Sequence, residues 1–399
     1  MGDTRPSRDS SKPETIGSYE IVRKLAVGGM GLVYLARQVG PVDFSREVVL
    51  KKLHEKYASD PHFVTMFVNE ARIAASLTHP NIIHIYELVQ DGDGYAIAME
   101  YVRGGTVLSM LRARERASLP GLPYGPATRI VSTVCEALYY AYNDLDGHGV
   151  PRHVIHRDVS PSNVLVGYDG HVKLVDFGIA KVLDGSGGTQ ATTIKGKYGY
   201  LSPEQIKCIA LDQRSDIFSL GTVLWEMTTG KRLFQRESEM QMMYAILEEE
   251  IPRPSRHVPD YPPALEAIVM KALARSRDDR YEDARQLASD LHEVAREERW
   301  AVDSGALANL VKETLPENQI AFGRIDSDSF SGAPARRRSK TTTGSWDDRD
   351  SFVSMVVVDE RGPVEQPARA RWLRSRDWVL IVVLLAASAA FWLWVVPMI

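Results

Sequence analysis

Hydrophobic and polar positions along the chain follow two periods. Tyr19–Leu25, Val48–Lys51 and Tyr95–Tyr101 carry short apolar, β-branched or alternating runs that predict strands. Val164–Val166 and Val172–Val175 predict two more, joined by a turn at Gly167-Tyr168-Asp169-Gly170. Residues 61–77 repeat at helical spacing instead, with Phe63, Met66, Phe67, Ile73, Ala74 and Leu77 on one stripe. Residues 126–145 do the same through Ile130, Val131, Val134, Cys135, Leu138, Tyr139 and Tyr142. Leu307–Leu315 predicts one short helix, stopped at Pro316.

Two places break the pattern. Glu70 lies on the apolar stripe of the 61–77 helix, where a carboxylate is costly unless paired. Val379–Val396 runs 18 residues without a charge. At about 1.5 Å per residue it spans roughly 27 Å, close to a bilayer's hydrocarbon thickness. Trp378, Trp392 and Trp394 flank its ends, and Arg369, Arg371, Arg374 and Arg376 precede it. These residues predict a single membrane helix over 378–396 with the preceding chain on the cytoplasmic side. Residues 1–17 and most of 299–377 are polar and are expected to be disordered. The folded domain is expected over 18–298.

Composition narrows the classes. Hydrophobic content of 44% and charged content of 25% suit a globular chain. A net charge of -4 gives no case for a nucleic-acid partner. Cys135 and Cys208 are far apart, show no metal-ligand spacing and suggest a reducing compartment.

The chemistry concentrates between residues 156 and 178. His156-Arg157-Asp158-Val159-Ser160-Pro161-Ser162-Asn163 precedes the predicted hairpin and Asp176-Phe177-Gly178 follows it. A hairpin returns its two ends to one place, so Asp158 and Asn163 sit near Asp176. That grouping suits a divalent cation and a hydroxyl aimed at phosphate. Upstream, Ala26-Val27-Gly28-Gly29-Met30-Gly31-Leu32-Val33-Tyr34 has the layout of a phosphate-covering turn between strands. Lys51 ends the apolar run 48–51 at a short distance after it.

These stretches resemble the protein-kinase family. The first is similar to its catalytic loop H-R-D-x-x-x-x-N and the second to D-F-G. Val48-Val49-Leu50-Lys51 resembles V-A-I-K, and Leu201-Ser202-Pro203-Glu204 resembles A-P-E. The resemblance covers about residues 19–297. It implies an α+β, bilobal protein-kinase fold with a small β-rich lobe and a larger helical lobe. It implies transfer of the γ-phosphate of ATP to protein hydroxyls, with Mg2+ or Mn2+. Asp158 is then the catalytic aspartate, Asn163 and Asp176 the metal ligands, and Lys51 the phosphate-binding lysine paired with Glu70. Leu25, Ala26, Val27, Gly28, Gly29, Met30, Gly31, Val33, Met99, Glu100 and Val102 line the ATP site, with Glu100 and Val102 meeting adenine through backbone groups. Glu204 pairs with Arg280, and Asp216 anchors the catalytic-loop backbone.

Several positions depart from the family's pattern. Ala26 stands for the first glycine, Thr106 for a common glutamate, and Ser160 for the lysine after the catalytic aspartate. Gly196 is followed by Lys197 where threonine is usual. The positive charge is read as transposed, with Lys197 reaching Asp158 and the transferring phosphate. Thr189, Thr192 and Thr193 are phosphorylation candidates, with Arg157 as one partner for the phosphate. Self-association for phosphorylation in trans follows from that reading. The resemblance points to a membrane-anchored serine/threonine kinase of the bacterial eukaryotic-like type, acting on protein substrates. The alternative is a pseudokinase scaffold, which Ala26 and Ser160 favour and the retained Lys51, Glu70, Asp158, Asn163 and Asp176 oppose.

Overall fold

The computed structural model describes residues 14–28, 31–42, 44–92, 94–177 and 198–316. The first half is a six-stranded antiparallel sheet in the order β1-β2-β3-β4-β6-β5. Its strands are β1 (Thr15–Ile16), β2 (Tyr19–Val27), β3 (Gly31–Val39), β4 (Ser45–Leu53), β5 (Ile85–Asp91) and β6 (Gly94–Glu100). β2 runs two residues past the expected end, so Ala26 and Val27 lie on the ladder opposite Val33 and Leu32. The turn closes through Gly28 N–H donating to Gly31 O at 2.7 Å.

Two helices follow β4: α1 (Glu55–Ala58) and α2 (Pro61–Ser76). Asp60 caps α2 by accepting from His62 N at 2.9 Å, and Pro61 sits in the first turn, where no amide donor is needed. Met66, Phe67, Ala71 and Ala74 form its buried stripe, and the last three pack with Leu53, Ile85 and Ile97 of the sheet. Each large side chain buried this way is worth about 1.5–3 kcal/mol.

The larger body is helical. A short sheet, β7 (Gly104–Thr106), β8 (Val164–Gly167) and β9 (Val172–Leu174), covers α3 (Val107–Arg116) and α4 (Tyr124–Asn143). Beyond it come α5 (Pro203–Ile206), α6 (Arg214–Thr229), α7 (Glu239–Leu247), α8 (Pro263–Ala272), α9 (Ala284–Glu297) and α10 (Ser304–Thr314). Every residue of α6 from Ser215 to Thr229 is buried, so this helix forms the centre of the body, and its polar side chains, among them Asp216 and Glu226, are hydrogen-bonded inside it. Gly230 ends it in the left-handed conformation at φ 68°, which a side chain would strain.

The packed body does not stop at residue 298. Leu307, Leu310 and Val311 of α10 belong to the same core as α4 and α6, so the boundary expected at 298 falls inside folded structure. Among the described residues no helix is long and apolar enough to cross a membrane. The expected span at 378–396 lies outside the described residues, as does most of the expected linker.

Candidate active site

Strand pleat decides where Lys51 points. Lys51 and Lys52 are neighbours on β4, so their side chains leave opposite faces of the sheet. Lys52 Nζ meets Asp91 at 2.8 Å. Lys51 Nζ turns inward and lies 2.8 Å from Glu70 Oε1 and 2.8 Å from Asp176 Oδ1. Burial alone would pull this ammonium's pKa down. The Asp176 and Glu70 carboxylates override that and hold it above its ordinary value. Burial raises the Glu70 carboxyl, with Lys51 opposing the shift.

The loop at 156–163 is shaped by a carboxylate beneath it. Asp216, near the start of α6, accepts from His156 N and Arg157 N at 2.7 Å each. Those two bonds hold Arg157 at φ 66°, an uncommon conformation for a residue with a side chain. Burial raises the Asp216 carboxyl from 3.8 to about 7, against the pull of the two N–H donors. His156 Nδ1 accepts from Asp158 N at 3.3 Å, which leaves its Nε2 to donate to Val175 O at 3.0 Å. The His156 ring packs on Phe177, with centroids 4.6 Å apart.

These contacts bring the three expected polar groups together. Asn163 Nδ2 donates to Asp158 O and to Asp158 Oδ2, both at 2.8 Å. Val175 N donates to Asn163 O at 3.0 Å, which sets Asp176 beside Asn163. With the Asn163 nitrogen committed to Asp158, its Oδ1, which also accepts from Ser162 Oγ at 3.4 Å, is the atom that would face a cation. Asn163 Oδ1 and the Asp176 carboxylate are hard oxygen donors and fit Mg2+ or Mn2+. Among the described residues no group of three His, Cys, Asp or Glu side chains could hold a metal alone. Such a pair suits a cation that takes its remaining ligands from phosphate and water.

On the adenine side, Met99 is buried at the end of β6, and a cavity of only about 10 Å³ lies behind it. Glu100 N–H donates to His84 O at 2.9 Å, so that donor is engaged within the protein. The Glu100 carboxylate pairs with Lys173 of β9 at 2.8 Å. Leu25, Ala26, Val27, Gly28, Gly31 and Val33 sit on the β2–β3 hairpin. Gly29 and Met30 lie outside the described residues, as do Lys197, Thr189, Thr192 and Thr193. Arg157 is half-buried, its guanidinium pKa lowered by burial, and its Nε has no hydrogen-bond partner among the described residues.

Below the segment that re-enters at Tyr198, two buried ion pairs fix the floor. Glu204 meets Arg280 at 2.7 Å, and Ser215 Oγ also donates to it. Glu226 of α6 accepts from Tyr200 Oη at 2.6 Å, Arg232 Nε at 3.2 Å and Leu233 N at 3.0 Å. Gln205 Nε2 donates to Arg157 O at 2.9 Å, tying this floor to the catalytic loop. Lys173, Gln205, Glu226 and Arg232 were not singled out from the sequence. Glu226 carried a usable signal, a carboxylate amid Leu224, Trp225 and Met227, as Glu70 did on its own stripe.

The protein kinase domain family matches residues 19–309. Among similar proteins, tyrosine-protein kinase MasK of Myxococcus xanthus is 42% identical over 69% of this chain. Serine/threonine-protein kinase PrkC of Bacillus subtilis is 36% identical over 94% of it, and serine/threonine-protein kinase PknB of Mycolicibacterium smegmatis 38% identical over 69%. The chain spans 42%, 52% and 43% of these three proteins, about half their length. The crystal structure of the Mycobacterium tuberculosis PknI kinase domain superposes with a TM-score of 0.54 at 27% identity, over 71% of this chain and 99% of that one. By sequence and by fold, this chain belongs to the protein kinase domain family.

Proposed function

We propose that this protein is an ATP-dependent serine/threonine protein kinase. The observation that carries the reading is the joined network Glu70–Lys51–Asp176 and Asp158–Asn163. It groups an ammonium with two carboxylates and an aspartate–asparagine pair, which supports the reading of a phosphate-binding lysine, two cation ligands and a proton acceptor. Kinases of this family use ATP with Mg2+ or Mn2+. The cation, when bound, neutralises charge on the ATP phosphates. Asn163 and Asp176 would hold it through their side-chain oxygens. Lys51, kept charged by its two carboxylates, binds phosphate oxygens and is itself oriented by Glu70. Asp158 orients the substrate hydroxyl and accepts its proton. The protein's work is mainly position and fixed charge.

Regulation and location extend the same reading. Phosphorylation at Thr189, Thr192 or Thr193, in trans between two copies, gives Arg157 an anionic partner. The support is the half-buried guanidinium with an unpartnered Nε. The charge-free run 379–396 and the arginines before it support a single-pass anchor with the catalytic body in the cytoplasm. Extraction of cell membranes by detergent, but not by alkaline carbonate, is the expected result for that anchor; release by carbonate refutes it.

The test is labelled ATP with a generic protein substrate and the full chain in detergent micelles. Wild type is expected to yield phosphoserine and phosphothreonine. Asp158→Asn should lower turnover by roughly a thousandfold while leaving the fold intact. Intact mass after incubation should rise on the 179–197 segment. Equal turnover in both proteins contradicts the catalytic reading and favours a scaffold. Phosphotyrosine alone, the specificity in MasK's name, contradicts the serine/threonine assignment.

A further inference from the structure

Residues 301–315 pack against β7, β8 and the β8–β9 turn. The segment from Ala301 to Leu315 rests on three glycines of the catalytic body. Gly125, near the start of α4, lies against Ala301 O, where a methyl group would collide. Gly170, at φ 78° in the β8–β9 turn, lies against Ser304 O in the same way. Gly105 of β7 faces Leu315, whose Cδ1 would be 2.5 Å from an added Cβ. Between these contacts Asp303 caps α10, accepting from Ala306 N at 2.9 Å, and Leu307 and Val311 are fully buried.

The far end of this segment reaches the connection between β6 and β7, the hinge beside the expected adenine contacts Glu100 and Val102, through one side chain. Tyr168 Oη donates to Leu315 O at 2.9 Å. Tyr168 N–H donates to Arg103 O at 2.9 Å, in the stretch between β6 and β7 that follows Glu100 and Val102. β7 in turn pairs with β8, Gly104 opposite Gly167 and Thr106 opposite Leu165. Thr106 Oγ1 then caps α3 by accepting from Ser109 N at 3.0 Å. The braced hairpin β8–β9 is the one with Asn163 before it and Asp176 after it. One segment therefore touches the turn of that hairpin at Gly170, through Ser304 of α10, and touches the Tyr168 side chain and Gly105 of β7 through Leu315 just past the helix.

We propose that α10 and Leu315 are positioning elements of the nucleotide site, acting on ATP affinity through Tyr168 and Gly105. The proposal rests on the kinase reading above. None of these residues touches the expected positions of the phosphates. Loosening them should leave the chemical step intact while the hinge spends less time in the binding geometry. Affinity then falls by the fraction of competent conformers lost.

Leu315→Ala and Tyr168→Phe in the full chain test this, with Leu315→Met as the conservative control. The KM for ATP, or the Kd for a non-hydrolysable ATP analogue with Mg2+, is expected to rise about three- to tenfold in the first two. Turnover at saturating ATP should stay within about twofold, the KM for protein substrate should not move, and Leu315→Met should restore ATP affinity. Unchanged ATP affinity overturns the proposal, whether or not the melting temperature falls. So does a loss of turnover in proportion to a fall in folded fraction, which is what a merely structural role gives. Failure of the wild-type chain to bind nucleotide at all is a failure of the kinase reading and is read from the wild-type titration alone.

Discussion

Glu204 and Arg280 lie 76 residues apart and meet as a two-pronged ion pair, Nη1 to Oε1 at 2.7 Å and Nη2 to Oε2 at 2.9 Å. Both side chains are sealed from solvent, at 2% and 0% exposure. Arg280 donates further to Ala274 O, Arg214 O and Arg275 O, so the one guanidinium ties α5, α6 and the chain before α9. The Glu204 carboxyl feels burial first, yet its pKa lies below the ordinary value because Arg280 and Ser215 hold the ionised form. Removing one partner leaves the other charge buried and unpaired. Arg280→Ala is expected to cost about 3–5 kcal/mol in urea unfolding. Arg280→Lys, which keeps the charge but loses the fork, should cost less. A loss below about 1 kcal/mol for the alanine variant would show that water reaches Glu204.

Lys51 answers to two carboxylates from different parts of the chain, one on α2 and one after β9. Its removal should therefore do more than delete a phosphate contact, because Glu70 and Asp176 would then face each other without a counter-charge. Lys51→Met is expected to lower turnover by a hundredfold or more, roughly 3 kcal/mol. Glu70→Gln keeps the Asp176 contact and should have a smaller effect. Steady-state turnover at saturating ATP separates them. Equal losses in the two variants would mean that Glu70, and not Lys51's own charge, carries the effect.

Much of this site was legible because each rule involved acts locally. The apolar run 48–51 predicts β4, whose pleat sends Lys51 and Lys52 to opposite faces, and helical spacing predicts α2 with Glu70 on its buried stripe. The hairpin between Asn163 and Asp176 followed from a turn between two apolar runs. What stayed hidden depends on distant partners. β7 is three residues with two glycines and carries no alternation; only its pairing with β8 makes it a strand. The Glu100–Lys173 pair joins residues whose meeting depends on how two sheets are placed. α10 was readable as a helix, but its burial was not, because its partners lie on α3, α4 and β8. The packing of the chain past residue 298 depends on those same distant partners.

Asp216 gives the fold a pH dependence with a definite sign. Its carboxyl is 3% exposed, and burial raises it from 3.8 to about 7. The folded chain therefore favours the protonated form more than the unfolded chain does. A carboxyl shifted in this direction contributes its full stability below about pH 4 and loses it as pH climbs toward 7. Inside that window each pH unit is worth at most ~1.4 kcal/mol. Asp216→Asn does not titrate, and its amide offers one acceptor to the two N–H groups of His156 and Arg157. The variant is expected to be less stable than wild type, with the deficit shrinking as pH rises from about 4 to 7. Urea unfolding of both proteins at several pH values in that range measures the deficit directly. A deficit that stays constant or grows with pH would mean that the two N–H donors, not burial, set the ionisation of Asp216.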